Sequence, residues 1–141
     1  MEEWKSLVRD TITNPEELAQ ILDVDVEEIK RVHKEFPLRI NPYYLSLIQE
    51  KGDAIWKQVI PDACEIISDG LEDPLAEEEQ SPLPNLVHRY PDRVLFYVNY
   101  MCSVYCRFCT RKRKVGDPTS VSKNDIELAL EYIRQHTEVR D

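Results

Sequence analysis

Five consecutive apolar and aromatic residues, Val94-Leu95-Phe96-Tyr97-Val98, lead almost directly into three cysteines within eight positions, and a capped amphipathic helix follows. An unbroken apolar run this short predicts a strand buried on both faces of a parallel sheet. Beyond the cysteines, Ser122 and Asp125 form a cap, and Ile126, Ala129, Leu130 and Ile133 fall at i, i+3, i+4 and i+7. That spacing predicts a core-facing helix of about 13 residues. Strand, functional loop and helix make one unit of a β/α architecture, in which sites lie beyond the carboxyl ends of the strands. One unit is not a sheet, because a parallel partner must come from further units, and the chain stops at Asp141 where the next strand would begin. The expectation is the amino-terminal part of a longer α/β protein. The alternative is antiparallel pairing of Val94–Val98 with a segment of the preceding connector.

The first 80 residues read as short helices separated by Pro and Gly. Thr13-Asn14-Pro15-Glu16 offers a capping box with proline near the first turn, and Leu18, Ile21 and Leu22 predict a helix from about 15 to 23. Asp25 with Glu28 caps a second, whose stripe of Ile29, Val32 and Phe36 ends at Pro37. Asn41-Pro42 starts a third carrying Tyr44, Leu45, Leu47 and Ile48, with Gly52 as its carboxy-terminal cap, and a short fourth covers 54–59. From Asp69 to Asp92, prolines 74, 82, 84 and 91 and the run Glu77-Glu78-Glu79 break regular structure and predict an extended connector.

Charge is unevenly spread. Residues 1–86 hold 8 basic and 20 acidic side chains, net −12, whereas 87–141 hold 10 basic and 7 acidic, net +3. So acidic a first half argues against a general nucleic-acid binder, since phosphate contacts need clustered Lys and Arg. The basic residues gather at the cysteines instead: Arg107, Arg111, Lys112, Arg113 and Lys114, with Arg89 and Arg93 upstream. The plain reading of such a run is a solvated surface. No run of about 18 apolar residues exists, and the acidic, mixed amino terminus is unlike a signal or transit peptide, so the expected location is the cytoplasm, with no membrane partner. There, four cysteines are metal ligands or core residues more readily than disulfides.

Cys102, Cys106 and Cys109 have C-x3-C-x2-C spacing. Three thiolates on one tight loop can each bind one iron of a cubane cluster, because soft sulfur ligands suit iron–sulfur centres. The fourth iron then has no protein ligand from this loop, and an open coordination site on a redox centre is where a substrate can chelate. Zinc is the competing metal, but structural zinc sites close with a paired knuckle, and Cys64, His33, His88 and His136 lack the partner spacing. A disulfide or inert thiols complete the alternatives. Cys64, beside Ile66 and Ile67, reads as a small core residue.

The cysteine loop after a first strand resembles the radical S-adenosylmethionine superfamily. The combination of His88-Arg-Tyr-Pro-Asp-Arg-Val94 with Cys-Ser-Val-Tyr-Cys-Arg-Phe-Cys-Thr-Arg-Lys-Arg resembles, more narrowly, the lysine 2,3-aminomutase family. Asn41-Pro-Tyr-Tyr-Leu, Glu72-Asp-Pro-Leu and the proline-rich connector fit the same resemblance, which covers roughly residues 37–141. It implies a helical region over 1–68, a connector over 69–93, and over 94–141 the start of a TIM-like radical barrel with its cluster loop at 99–118. It also implies a [4Fe-4S] cluster on the three cysteines, S-adenosyl-L-methionine on the open iron, and pyridoxal 5′-phosphate. A 5′-deoxyadenosyl radical would take a β-hydrogen from an amino acid held as an imine, and the α-amino group would migrate. In that scheme Arg89, Tyr90 and Arg93 contact the pyridoxal cofactor, the arginines at its phosphate, where a guanidinium fork pairs with oxygens. Arg111 pairs with the substrate carboxylate, and Phe108 lies near the adenine.

Two residues depart from the family pattern: Phe108 stands where a histidine is common, and Arg111-Lys112-Arg113 replaces three arginines. These leave cofactor binding in place and the subfamily open, and Arg111 would accept any α-carboxylate. The resemblance further implies an external electron donor such as flavodoxin or ferredoxin, homo-oligomeric full-length relatives, and a Gly-Gly-Asp segment, an imine lysine and substrate-selecting carboxylates beyond Asp141. The 141-residue chain alone is therefore expected to show no turnover. The competing class is a non-catalytic iron–sulfur or zinc module that docks through its acidic helices.

Overall fold

The computed structural model describes residues 3–67 and 70–141. The boundary placed at 68/69 lies outside the described residues. The chain divides into two compact units: Met1–Gly70 with Cys102–Gly116, and Leu71–Met101 with Asp117–Asp141.

The first unit is built of short capped helices. These are α1 (Glu3–Arg9), α2 (Pro15–Ile21), α3 (Val26–Glu35), α4 (Pro42–Leu47) and α5 (Ala54–Val59), followed by a 3-10 turn over Ala63–Ile66. Each helix from α2 to α5 starts at an Asn or Asp whose side chain accepts backbone N–H groups: Asn14, Asp25, Asn41 and Asp53. Such caps satisfy donors that a helix start leaves orphaned. The α2 cap is Asn14, which takes the N–H groups of Glu16 and Glu17, so Thr13 is not the capping residue. Gly52 does not end α4, whose cap is Ile48; with φ of +84° it forms the tight turn before α5. Ile12, Leu18, Ile29, Leu38, Ile40, Val59 and Ile60 make the core, and Ile12 and Ile40 exchange backbone hydrogen bonds at 2.9 and 3.0 Å.

The second unit departs from the parallel strand expected over Val94–Val98. Here β1 (Leu86–Tyr90) and β2 (Arg93–Phe96) form an antiparallel hairpin, pairing Leu86 with Phe96, Val87 with Leu95 and Tyr90 with Arg93. Leu95 is 41% and Val98 57% exposed, so the run is not buried on both faces. The physical reason is Pro91: it occupies a tight turn, where its preset φ favours reversal, rather than simply breaking structure. The connector therefore contains a strand. Downstream, α6 (Lys123–Gln135) follows the capping box of Ser122 and Asp125. Of its stripe only Ala129 is fully buried, and Leu130 is about half exposed. Past α6, Arg140 N–H donates to the Asp92 carbonyl at 2.8 Å and Val94 N–H to an Asp141 oxygen at 2.9 Å. Among the described residues the sheet has two strands, and no barrel is formed. No described helix is long and apolar enough to cross a membrane.

Candidate functional site

The cysteine loop is a succession of turns in which Cys109 N–H donates to the Cys106 carbonyl at 3.1 Å and Lys112 N–H to the Cys109 carbonyl at 3.2 Å. Its spacer residues are the anchors. Val104, Tyr105 and Arg107 are buried, Cys106 and Cys109 are half-buried, and Cys102 and Phe108 are exposed. Val104 joins the core of the first unit. Backbone N–H groups of Tyr105 and Arg107 donate to the carbonyls of Arg39 at 2.9 Å and Gln58 at 2.7 Å. Gly116 closes the loop with φ of +95°, and a Cβ there would stand 2.9 Å from the Tyr105 ring and 3.2 Å from Pro37, so only glycine fits.

Beneath the loop lies a buried ion cluster. Arg107 Nη2 donates to Glu65 Oε2 at 2.7 Å and its Nε to Glu65 Oε1 at 3.0 Å, while Nη1 donates to the Pro37 carbonyl at 3.0 Å. Lys112 also pairs with Glu65, and its ammonium lies 4.1 Å from the centre of the Phe36 ring. Burial alone would raise the Glu65 carboxyl, but the hydrogen bonds from Arg107 and Lys112, with the Arg107 charge, outweigh it and hold the group below its ordinary value. Burial and the Arg107 charge lower the His33 imidazole, whose Nδ1 accepts the Leu38 N–H at 3.1 Å. Two members of the basic run are thus internal cations rather than solvated surface. The sequence reading gave Glu65 no role; in the fold it also completes a capping box with Asp62. Its charge partners lie 42 and 47 positions away, beyond any local pattern.

Burial pushes the Cys106 thiol up, and the charges of Cys109 and Cys102 push it further. Cys102 and Cys109 thus lie near enough for their charge to reach the Cys106 sulfur. Among the described residues no three His, Cys, Asp or Glu side chains form a group arranged to hold a metal ion. As donors, three thiols are of the soft type that an iron–sulfur centre takes. Cys64, read as core, is exposed; its hydrogen bond to Asp62 raises its thiol.

The other candidates divide between the units. Arg111, half-buried, and Phe108, 67% exposed, belong to the first. Arg89, Tyr90 and Arg93 belong to the hairpin of the second. Arg89 Nε donates to Gln80 Oε1 at 2.7 Å, and its Nη2 contacts the Leu75 carbonyl. Arg93 lies over the Tyr90 ring at 5.6 Å and pairs with Asp92 at 3.2 Å.

No family model matches the chain. Curated proteins do, among them several aminomutases. The L-lysine 2,3-aminomutase of Methanococcus maripaludis is 48% identical over 120 residues, covering 81% of this chain and 28% of that protein. That of Clostridium subterminale is 43% identical over 147 aligned positions, covering 99% of this chain and 35% of the relative. The glutamate 2,3-aminomutase of Clostridioides difficile is 35% identical, covering 99% and 36%. The chain thus matches the lysine 2,3-aminomutase family, and it spans about a third of the length of these relatives.

Proposed function

We propose that Cys102, Cys106 and Cys109 hold three irons of a [4Fe-4S] cluster whose fourth iron takes S-adenosyl-L-methionine, and that these residues serve a pyridoxal phosphate-dependent 2,3-aminomutation of an amino acid. The observation that carries this reading is the loop itself. Its spacers Val104, Tyr105 and Arg107 are driven inward, while the thiols stay half-buried or exposed in one another's field. When bound, the cluster and adenosylmethionine supply a carbon radical, and pyridoxal phosphate carries the migrating amino group. The chain's own residues bind and orient. Arg89 and Arg93 would pair with phosphate oxygens, Tyr90 would lie against the pyridoxal ring, Phe108 against adenine, and Arg111 would fix the substrate carboxylate.

The order of β2, cysteine loop and α6, with the backbone hydrogen bonds of Arg140 and Asp141 to Asp92 and Val94, supports reading this stretch as a β/α unit, the repeating element of a TIM-like barrel. The helical region, connector and barrel start are proposed at 1–68, 69–93 and 94–141. A flavodoxin- or ferredoxin-like donor, homo-oligomeric assembly and a cytoplasmic setting complete the proposal.

The test is anaerobic reconstitution of the chain with ferrous iron and sulfide. Wild type and Cys64→Ala should each take up about four irons, whereas single alanine variants at 102, 106 and 109 should lose most of them. A colourless protein holding one zinc contradicts the proposal.

A further inference from the structure

Asn85 has no part in the roles above, yet its side chain joins two distant stretches of the second unit. It sits at the start of β1 with φ of +64°, the left-handed region that a short amide side chain tolerates. Its Oδ1 accepts the Tyr100 hydroxyl at 2.9 Å. Its Nδ2 donates to the Ser120 carbonyl at 3.0 Å and to Asp125 Oδ2 at 3.3 Å. Its own carbonyl accepts the Tyr97 N–H at 2.8 Å. Tyr97 and Tyr100 lie on the stretch that leads into Cys102, and Ser120 and Asp125 on the stretch that returns from the loop into α6.

We propose that Asn85 is a positioning residue that clamps the two feet of the cysteine loop, holding Tyr100 and Ser120 together so that the three thiols are presented as one ligand set. This rests on the reading of those thiols as cluster ligands. Both arms of the clamp are stiff. Tyr100 is buried and stacks on Tyr97 with centroids 5.0 Å apart, and the Tyr97 hydroxyl donates to the buried Glu77 carboxylate at 2.8 Å. On the returning side, Asp125 Oδ2 also accepts the Ser122 N–H at 2.8 Å, so the amide of Asn85 is tied to the capping box of α6. A loop whose feet are already joined loses less entropy when it orders around a metal, and releases that metal more slowly.

The experiment compares iron release from the anaerobically reconstituted full chain into excess EDTA. Asn85→Gly keeps the positive φ and removes both arms. Asn85→Asp keeps the acceptor for Tyr100 but withdraws the donor from Ser120 and sets a second carboxylate against Asp125. Tyr100→Phe removes only the departing arm. The clamp predicts release about tenfold faster in Asn85→Gly, with Asn85→Asp and Tyr100→Phe between it and wild type. A release rate in Asn85→Gly equal to wild type overturns the clamp and leaves the cluster reading standing, as does a loss of metal-free stability with unchanged release. A wild-type chain that takes up no cluster overturns both. If the glycine variant does not fold, the Asn85→Asp and Tyr100→Phe rates decide on the same terms.

Discussion

Glu65 shows how much one side chain holds in place. It accepts from Arg107 and contacts Lys112, so its removal leaves the buried Arg107 guanidinium without its counter-ion. Breaking such a pair from one side costs about 3 kcal/mol. Glu65→Gln should lower the denaturant midpoint accordingly, with the slope unchanged, in an equilibrium unfolding titration. The pH dependence has a definite sign. Because the folded carboxyl lies below its ordinary value, its contribution is complete above the unfolded pKa and is lost as pH falls through the folded one. Wild-type stability should therefore fall more steeply than that of Glu65→Gln below about pH 4. Nothing in the local sequence separates Arg107 from its basic neighbours. Pairing across 42 residues is set by the packing of the 3-10 turn, the segment at Pro37 and the loop, which no window reveals. The spacing of the cysteines, by contrast, is a local feature, and the proposal that they are metal ligands rests on it: soft donors close together on a loop of turns.

The same division runs through the elements. Caps belong to single residues and their next few neighbours, so the starts of α3, α4, α5 and α6 follow directly from Asp25, Asn41, Asp53 and Ser122. Replacing the α6 cap by Ser122→Ala removes the acceptor for the Asp125 N–H at 3.1 Å and should cost about 1 kcal/mol, read as a lower thermal midpoint. Strand partners are not local. Leu86–Tyr90 carries two buried aliphatics followed by His88, Arg89 and Tyr90, a pattern too mixed to announce a strand, and its pairing is decided by the Pro91-Asp92 turn and by what Phe96 and Leu95 meet. The apolar run ahead of the cysteines forms a strand only as far as Phe96, is not buried on both faces, and pairs antiparallel with a segment of the connector, the alternative weighed from the sequence. α6 was legible in both position and length, but Leu128 and Leu130 remain exposed on it at 43% and 49%.

For the whole molecule, two compact units carry a divided set of candidates, with the thiols, Phe108 and Arg111 in one and Arg89, Tyr90 and Arg93 in the other. Identity of 35–48% to lysine and glutamate 2,3-aminomutases extends across most of the chain, so the likeness covers both units and not the cysteine loop alone. The chain nevertheless spans about a third of those relatives, and turnover belongs to the proposal for the whole protein. The proposed reading makes one demand on this chain itself: a cluster on its three thiols whose remaining iron takes adenosylmethionine. The direct measurement is electron paramagnetic resonance of the reduced, reconstituted chain before and after adding S-adenosyl-L-methionine. The account predicts a cluster signal whose g-values shift on addition and disappear in Cys106→Ala; a reduced cluster whose spectrum is unchanged by saturating S-adenosyl-L-methionine would contradict it.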